Sequence, residues 1–564
     1  MGQKIIVIGG VACGPKAAAR ARRRDPEAEI TIIERGPFIS YAGCGLPYYI
    51  GGVVEDLEGL MRTSFGTLRD RLYFDQVKDI KVLARTEAVK IEREKKTVRV
   101  RDLESGRESE MAYDKLVLAT GASPVRPPIP GMELENVFTL RRPSEADVIR
   151  KKIEAGEADR VCIIGAGRIG LEVAEALSNQ AVETSMVDAA PQVLPGLLDP
   201  DMAALVADAL RKEKVALFLS ERVKSFAGAN GRAVKVVTEQ REIETDAVIV
   251  AVGVKPEVTL AQAAGLELGG TGAILVDDHL RTSDPDIFAG GDCVENYHLV
   301  SRDKVWVPLG STANRHGRVI GDNLTKGDAK FPGIVGTGIL RTLGMNIGAT
   351  GITEQKAREL GHDVIACLAP SGDRSHFYPG GKPIVIKLVA DRKTGKLLGG
   401  QIAGPGDVAR RLDTIAAVLS FGGSIDDLGD LDLSYAPPFG TAIEAVAHAA
   451  NILRNKRDGM AETISPQRLQ EILASSEEAL ILDVRSKAEW DALGRIEDPR
   501  ARRVSMEELR SALPGLPRGK PVIVICQAGA RSYEAVCSLR GAGFKDARFV
   551  DGGMSVFLRF REQT

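Results

Sequence analysis

The chain has 564 residues, 44% of them hydrophobic, which is enough for three or four packed domains. Its 75 basic and 77 acidic residues leave a net charge of -2, which excludes the broad basic surface of a nucleic-acid-binding protein. Seven widely spaced cysteines without a CxxC pair are typical of a reducing compartment, and no metal site is expected. We expect a cytoplasmic protein, since no signal peptide precedes the first strand and no apolar run reaches the ~20 residues of a membrane-spanning helix.

The first predicted unit is a βαβ motif. An apolar strand at residues 5–8 leads into a glycine-rich turn, a helix that runs to Arg24 and a second strand that ends at Glu34. Glycine permits a tight turn and lets the backbone approach a pyrophosphate at the helix N-terminus, while the acid accepts hydrogen bonds from a ribose diol. Val11 occupies the position of the middle glycine of such turns. The candidate nucleotide-binding residues are Gly9, Gly10, Val11, Gly14, Glu34 and Arg35.

The helix of this unit carries a cluster of cations. Lys16, Arg20 and Arg23 recur at helical spacing and therefore share one face. A solvated basic face is the ordinary role of such a run. Its place shortly before Cys44 favours a site for phosphate groups.

Cys44 is a single cysteine in a setting that favours reactivity. It lies between Gly43 and Gly45, immediately after the predicted nucleotide-binding unit. The alternative is a small buried core residue, the usual role of an isolated cysteine. No second cysteine lies nearby, so a disulfide at Cys44 needs a thiol from a small molecule.

A second βαβ motif follows further along the chain. The strand at residues 161–164 leads into a full GxGxxG turn, and the next strand ends at Asp188, an acid that favours NADH over NADPH. Two such motifs predict one bound flavin dinucleotide and one exchanging nicotinamide dinucleotide, and glycine-rich turns in an ordinary doubly wound sheet are the alternative. The candidate NAD-binding residues are Gly165, Gly167, Ile169, Gly170, Asp188 and Gly253.

Three further segments carry a family resemblance. With residues 116–121, residues 282–292 and residues 306–315, the chain from its start to about residue 450 resembles the pyridine nucleotide-disulfide oxidoreductases. The resemblance implies that Asp292 holds the ribityl chain of FAD and that the segment 306–315 closes over the flavin. It assigns further FAD contacts to Thr120, Gly121, Gly291, Pro308 and Ala313.

The surroundings of Cys44 indicate the branch of this family. Enzymes similar to glutathione reductase use a cysteine pair and a histidine, and the oxidase and peroxidase branch cycles a lone cysteine through sulfenic acid. Residues 40–52 most closely resemble coenzyme A-disulfide reductases, in which the single cysteine forms a mixed disulfide with coenzyme A. Gly43 stands where that branch more often has Asn. The resemblance implies coenzyme A contacts at Lys16, Arg20, Arg23, Ser40, Gly43, Arg71 and Asn314.

Residues 326–452 resemble the dimerisation domain of the family, in which the partner subunit completes the active site. A homodimer with a shared active site is therefore implied. Tyr435 takes the place of the histidine-bearing segment of glutathione reductase, and its hydroxyl can donate a hydrogen bond to a thiolate. Tyr378 is a second candidate for that role, and interface packing is the alternative for both. Arg168 stands where the family commonly has an aromatic residue at the nicotinamide pocket.

The last hundred residues begin a separate α/β pattern. A strand at residues 521–525 delivers Cys526 into the loop CQAGARS, where backbone N–H groups and a helix N-terminus converge on one sulfur and stabilise its thiolate. With residues 483–485, this loop resembles a rhodanese domain. The resemblance implies that Cys526 forms a persulfide and that Arg531 closes the loop. The usual Gly-His-Ile turn of that family reads Gly-Arg-Ile here.

These patterns predict an α/β fold with two Rossmann-like domains that bind FAD and NAD, an α+β dimerisation domain and a C-terminal α/β rhodanese domain. The expected domain limits are 1–150 with 253–325 for FAD, 151–252 for NAD(P), 326–452 for dimerisation, 453–465 for a linker and 466–564 for rhodanese.

The resulting hypothesis is an FAD-dependent, NADH- or NADPH-using reductase of coenzyme A disulfide, coenzyme A persulfide or polysulfide. Hydride would pass through the flavin to the sulfur at Cys44, while Cys526 takes sulfur from sulfane-sulfur donors and passes it to coenzyme A. Two alternatives stay open. One is an NADH oxidase or peroxidase that cycles Cys44 through sulfenic acid, and the other is a non-catalytic flavin redox sensor or electron-delivery protein.

Overall fold

The structure is a computed structural model and describes residues 2–561. The chain divides into two compact units. The first comprises Met1–Ala189 and Ser220–Ile334, and the second comprises Ala190–Leu219 and Val335–Thr564. Along the described part of the chain, no helix combines the length and the apolar character needed to cross a membrane.

A parallel sheet surrounds the N-terminal strand in the first unit. Its residues Ile5 to Ile8 are buried, as expected for a strand covered on both faces. The helix Cys13–Arg24 follows this strand through the first glycine turn. The order of the sheet is Ile287–Ala289, Lys115–Leu118, Lys4–Ile8, Glu29–Ile33 and Lys81–Leu83.

Two glycines bring the helix Gly310–Asn323 against the helix Cys13–Arg24. A Cβ added at Gly317 would lie 2.6 Å from the Cys13 carbonyl oxygen, and one added at Gly321 would lie 2.5 Å from the Arg20 Cβ. No side chain tolerates such distances, so glycine one turn apart sets how closely the helices approach. This contact fastens the later part of the first unit to its N-terminal βαβ motif.

A second parallel sheet in the first unit repeats the connection of the first. The helix Arg168–Asn179 follows the strand Arg160–Ile164 through the second glycine turn. Parallel strands lie side by side here in the order Glu183–Val187, Arg160–Ile164, Ala247–Val250 and Val137–Phe138.

Smaller elements complete the first unit. The antiparallel strands are Thr86–Glu92, Thr97–Asp102 and Glu108–Ala112, then Val223–Ala229, Arg232–Thr238 and Glu242–Glu244, and the pairs Ala122–Pro124 with Val254–Pro256 and Asn296–Tyr297 with Lys304–Val305. The further helical segments are Gly43–Gly45, Leu46–Ile50, Leu57–Met61, Tyr73–Val77, Pro143–Glu154 and Thr259–Ala263.

The second unit contains an antiparallel sheet with helices. The sheet has the order Gly338–Thr342, Met345–Gly351, Leu397–Gly404, Pro383–Asp391 and Val364–Gly372. The other elements of this part are Pro200–Lys212, Ala216–Phe218, Glu354–Glu359, Ala409–Ser420, Ile425–Gly429 and Ala445–Arg457.

The C-terminal part of the second unit is a parallel α/β sheet. Its order is Thr463–Ile464, Ala547–Val550, Val522–Ile525, Leu480–Asp483 and Ala501–Arg503. Its helical segments are Pro466–Ala474, Lys487–Ala492, Met506–Ala512, Leu513–Gly515, Ala530–Gly541 and Gly553–Arg561. Two Rossmann-like sheets, an α+β part and a C-terminal α/β part are present, so the predicted fold class is confirmed.

The predicted domain limits stay predictions, and two segments lie differently from the expectation. Ala190–Leu219, expected within the NAD(P)-binding domain, groups with the second unit. The expected linker, 453–465, contains the end of the helix Ala445–Arg457 and the strand Thr463–Ile464.

A buried lysine explains where the first of these segments lies. The Lys387 ammonium lies 2.7 Å from Asp201, 2.9 Å from Glu354 and 3.4 Å from Asp199, and Lys387 is 2% exposed. Although burial alone would raise it, the Lys387 charge lowers the pKa of Glu354 to about 2. The ammonium therefore fastens the segment that contains Asp199 and Asp201 to the antiparallel sheet.

Lys387→Met should lower the free energy of unfolding by about 3–5 kcal/mol near neutral pH, because it leaves buried carboxylates without their cation. The loss should shrink as the pH falls, since these carboxylates acquire raised folded-state pKa values and protonation then neutralises them. Calorimetry of the full chain measures the shift of the thermal midpoint. Lys356→Met, which breaks an exposed ion pair with Glu359, is the control and should cost less than about 1 kcal/mol. Equal shifts for the two variants would contradict the assigned role of Lys387.

Candidate active site

The first glycine turn is built where only glycine fits. Gly9 has a φ of 110°, and a Cβ at this position would lie 2.0 Å from the Ala119 carbonyl oxygen. A Cβ at Gly14 would lie 2.0 Å from the Gly9 carbonyl oxygen. The turn therefore holds two strand ends and the N-terminus of the helix Cys13–Arg24 together, the arrangement that pyrophosphate-binding turns use.

The predicted FAD residues gather at one edge of the first sheet. Parallel strands end on the same side, and ligands of doubly wound sheets bind in the crevice at this edge. Thr120 donates its hydroxyl to the Glu257 carbonyl oxygen at 2.6 Å, and Val11 is half-buried within the glycine turn. Arg35 is exposed and lies 3.5 Å from Glu87. The predicted residues that follow the ends of strands in this sheet are Gly9, Gly10, Glu34, Thr120, Gly121, Gly291 and Asp292.

Asp292 combines a buried carboxyl group with a fixed backbone. Burial raises the pKa of Asp292, and Arg141, 3.4 Å away, opposes the shift. Trp306 Nε1 donates to the Asp292 carbonyl oxygen at 2.7 Å, and the preceding amide, that of Gly291, donates to His316 Nδ1 at 3.1 Å. Side chains thus hold this segment on both sides. Pro308 is half-buried and Ala313 is buried in the segment that follows.

Both nucleotide motifs orient their acid with the same contact. The Gly10 amide donates to Glu34 at 2.7 Å, and the Ala166 amide donates to Asp188 at 2.6 Å. In each motif the donor is the residue after the first glycine of the turn. Burial raises the pKa of Glu34, and amide hydrogen bonds from Gly36 and Gly10 oppose the shift. Each acid is therefore held at its own glycine turn.

The second glycine turn repeats the close contacts of the first. A Cβ at Gly165 would lie 2.5 Å from the Ala251 carbonyl oxygen, and one at Gly170 would lie 2.0 Å from the Gly165 carbonyl oxygen. At Gly167 and Gly253 an added Cβ meets open space instead. Ile169 is half-buried in the first turn of the following helix.

These turns fit the dinucleotides that the sequence predicts. The helices Cys13–Arg24 and Arg168–Asn179 have twelve residues each, and neither N-terminus carries a side-chain cap. Uncapped amides at the N-terminus of a helix are donors for phosphate oxygens. The open space at Gly167 leaves the backbone accessible to such a group. The donor sets therefore suit FAD at the first turn and NAD(P) at the second.

Cys44 is exposed on a short helical turn. It is the middle residue of Gly43–Gly45, directly before the helix Leu46–Ile50. A Cβ at Gly45 would lie 2.4 Å from Leu60 Cδ2, so a side chain there would require the Leu60 side chain to move. A Cβ at Gly43 would have its nearest contact at 3.8 Å, so a side chain fits there. The exposure of Cys44 counts against a core-packing role.

The predicted coenzyme A cations differ in their pairing. Lys16 and Arg23 are exposed, and neither forms an ion pair within residues 2–561. Arg20 forms a 2.6 Å ion pair with Asp322, whose carboxylate also lies 3.4 Å from Arg24. Lys16 and Arg23 are therefore the two predicted cations without an ion pair in the described part of the chain.

The remaining coenzyme A candidates lie in three settings. Ser40 is buried with a φ of 54°, and its amide donates to the Gly10 carbonyl oxygen at 2.7 Å. Asn314 is exposed on the helix Gly310–Asn323, where its side-chain amide donates to the Gly310 carbonyl oxygen at 2.8 Å. Arg71 is exposed, and in the described part of the chain no hydrogen bond or ion pair joins it to the cationic helix.

Tyr378 and Tyr435 line one cleft in the second unit. The cleft has a volume of about 690 Å³, and its wall also carries Arg374 and Lys382. Tyr378 is 37% exposed and Tyr435 is 49% exposed. Two tyrosines that are far apart in the sequence thus form one accessible aromatic and cationic surface.

Cys526 is held at the start of a closed loop. It follows the strand Val522–Ile525 and is 1% exposed. The Gly529 amide donates to Cys526 Sγ at 3.1 Å, and the φ of Gly529 is 106°. The helix Ala530–Gly541 begins directly after this loop without a side-chain cap. Backbone dipoles therefore meet at this sulfur.

Arg531 closes the loop through Glu489. Its two terminal nitrogens donate to the two oxygens of Glu489 at 2.7 and 2.5 Å, and these bonds lower the pKa of Glu489 to about 2. Beneath the loop, Arg485 is completely buried and donates to Asp483 and to the Gly494 carbonyl oxygen, each at 2.8 Å. The turn that departs from the rhodanese pattern is therefore held by Arg485, which precedes it in the chain.

The sequence did not predict three groups near these sites. Glu489 and His316 act through partners distant in sequence. Ser486 and Glu489 have the spacing of a capping box, but this pattern does not link Glu489 to Arg531. Glu172 had a local signal, since it lies four residues after Arg168 on the same helix. Burial raises the pKa of Glu172 to about 7, and the Arg168 charge opposes the shift.

Comparisons with known proteins agree along the whole chain. The pyridine nucleotide-disulphide oxidoreductase family matches residues 3–317, its dimerisation domain matches residues 342–447, and the rhodanese-like domain matches residues 465–559.

Two solved structures are similar over nearly full length. An NAD-dependent persulfide reductase from A. fulgidus has a TM-score of 0.93 and 42% identity, over 98% of this chain and 100% of that one. Reduced CoADR-RHD from Bacillus anthracis has a TM-score of 0.92 and 33% identity, over 100% and 99%. The NAD(P)H coenzyme A polysulfide/persulfide reductase of Pyrococcus horikoshii is 36% identical over 454 residues, which are 80% of this chain and 99% of that protein.

Glu489→Gln should lower the transfer of sulfur from thiosulfate to cyanide about tenfold, because Arg531 loses its charged partner. Glu508→Gln is the matched control, since Glu489 and Glu508 both complete a capping box at the start of a helix. The folded-state pKa of Glu489 is depressed, so its contribution is complete above its unfolded value and is lost as the pH falls toward 2. An equal loss in both variants would show that the cap, and not Arg531, is what Glu489 serves.

Proposed function

The chain belongs to the pyridine nucleotide-disulphide oxidoreductases, in the branch of coenzyme A-disulfide and persulfide reductases with a rhodanese-like domain, and we propose that it reduces coenzyme A persulfide with NAD(P)H. Coenzyme A disulfide is a related substrate of the same site, and polysulfide is a source of sulfane sulfur that reaches this site through Cys526 and coenzyme A. One observation carries the proposal: a single chain holds an exposed lone cysteine, Cys44, and a second cysteine, Cys526, in a closed persulfide-type loop.

The two glycine turns hold the cofactors in this proposal. Gly9, Gly14 and Glu34 hold FAD with Asp292, and the turn that ends in Asp188 holds NADH or NADPH. The acid at Asp188 favours NADH. When bound, the flavin supplies a relay for two electrons from the nicotinamide to sulfur.

Cys44 performs the sulfur chemistry of the reductase. Its thiolate attacks the sulfur atom that is bonded to coenzyme A carbon in CoA–S–SH, which forms Cys44–S–S–CoA and releases HS⁻. Two electrons and one proton then break the mixed disulfide into the Cys44 thiolate and free coenzyme A thiol. Lys16 and Arg23 bind the phosphates of coenzyme A, with Arg20, Ser40, Gly43, Arg71 and Asn314 as further contacts.

The cleft of Tyr378 and Tyr435 serves the partner subunit of a homodimer. In this proposal a tyrosine hydroxyl donates a hydrogen bond to the thiolate of Cys44 in the other chain and stabilises its charge. The exposure of both side chains and the match to a dimerisation domain support this assignment. The seven unpaired cysteines suit the cytoplasm.

Cys526 supplies the substrate of Cys44. Its thiolate attacks the outer sulfur of a sulfane-sulfur donor and becomes a persulfide, while the bond between this sulfur and the donor breaks and the rest of the donor leaves as an anion. The outer sulfur then moves to the thiolate of coenzyme A, which forms coenzyme A persulfide and restores the Cys526 thiolate. This transfer needs no external electrons.

Intact mass spectrometry tests the assignment of Cys44. Air-oxidised protein supplied with coenzyme A should carry one adduct of coenzyme A mass, which disappears on treatment with NADH and is absent from Cys44→Ser. Cys537→Ser removes the other exposed cysteine and should keep the adduct. An adduct that survives in Cys44→Ser would contradict the assignment of Cys44, and fast consumption of oxygen or peroxide without any adduct would favour the oxidase alternative.

The proposed role of Cys526 predicts that its replacement lowers one rate and leaves another nearly unchanged. In Cys526→Ser, NADH oxidation with coenzyme A persulfide should stay within about twofold of wild type, because Cys44 is intact. NADH oxidation with polysulfide and a catalytic amount of coenzyme A should fall at least about tenfold. Unchanged polysulfide turnover would mean that the two cysteines work independently.

A further inference from the structure

A buried ion pair joins the dimerisation part of the second unit to its rhodanese-like part. Lys456, near the end of the helix Ala445–Arg457, donates to Asp551 at 2.6 Å and to the Ala366 carbonyl oxygen at 2.5 Å. Asp551 directly follows the strand Ala547–Val550, and it also accepts a hydrogen bond from Thr463 at 2.9 Å. Lys456 is 8% exposed.

This pair is costly to separate. Burial raises the pKa of Asp551, and the Lys456 ammonium opposes the shift. Removal of either partner leaves a charge without compensation in the interior. The pair therefore specifies one arrangement of the two parts of the second unit.

The backbone after Asp551 supports the loop of Cys526 directly. The Met554 amide donates to the Cys526 carbonyl oxygen at 2.9 Å. A Cβ at Gly553 would lie 2.5 Å from the same oxygen, and one at Gly552 would lie 3.2 Å from the Leu368 Cβ of the antiparallel sheet. The segment that follows Asp551 therefore lies between the reactive loop and the antiparallel sheet.

A second ion pair lies near the C-terminal end of the helix that follows Asp551. Arg559 of the helix Gly553–Arg561 lies 3.3 Å from Asp208 of the helix Pro200–Lys212. The helix behind the Cys526 loop therefore has a contact with the rest of the second unit at each end.

We propose that Lys456 is a positioning residue for sulfur transfer from Cys526 to coenzyme A. By holding Asp551, it fixes the persulfide loop in one orientation on the dimerisation sheet, so that a carrier thiol meets the outer sulfur at a constant place. Reactions between oriented groups gain much of their rate from such placement. The inference rests on the proposed function.

Three rates of the full-length protein test this role. The first is NADH oxidation with coenzyme A persulfide, the second is sulfur transfer from thiosulfate to cyanide, and the third is NADH oxidation with polysulfide and catalytic coenzyme A. In Lys456→Met, the first two should stay within about twofold of wild type and the third should fall about tenfold. A merely structural role would lower the second rate together with the third.

The partner variants keep the test decisive if Lys456→Met folds poorly. Asp551→Asn should show the same split, and the double variant should be no worse than the more impaired single variant, because the pair acts as one unit. Lys520→Met, which breaks an exposed ion pair with Glu478 in the same domain, is the control and should change none of the three rates.

The outcomes separate this inference from the proposed function. If Cys526→Ser lowers the third rate but Lys456→Met and Asp551→Asn do not, the positioning role is wrong and the coupling stands. If Cys526→Ser leaves the third rate unchanged, the coupling itself is wrong. Equal losses in all three rates for Lys456→Met and Asp551→Asn would also overturn the positioning role.

Discussion

Both nucleotide motifs depend on close backbone contacts that only glycine permits. At Gly9 and Gly165 a strand end turns against the carbonyl of the neighbouring strand, and at Gly14 and Gly170 the helix packs on the turn itself. Any Cβ at these four positions would overlap a carbonyl oxygen. The helix N-termini, the oriented acids and the crevice at the sheet edge are all placed by these contacts.

Where a function depends on local backbone geometry, the sequence is informative. Residues close in the chain form the two glycine turns, the acid at the end of each second strand and the loop of Cys526. The structure contains each of these features where the sequence predicts it.

Where a function depends on distant charges, the sequence is silent. Lys387 and Asp201 are 186 residues apart, and Lys456 and Asp551 are 95 residues apart. Lysine and aspartate are abundant, so neither partner identifies the other without the fold. For this reason the placement of Ala190–Leu219, the role of Glu489 and the fixed position of the rhodanese-like part could not be predicted. Arg20 illustrates the same limit, because helical spacing placed it among free cations and Asp322 forms an ion pair with it.

The two sulfur sites meet solvent in opposite ways. Cys526 is enclosed in its loop, whereas Cys44 is exposed on its turn. An accessible thiolate is open to stepwise oxidation, and the sulfinic and sulfonic acids that follow are not reversed by ordinary thiols. A mixed disulfide with coenzyme A is a reversible cap on such a sulfur. In the proposed function, the mixed disulfide would protect Cys44 between turnovers, and reduction by NADH would remove it.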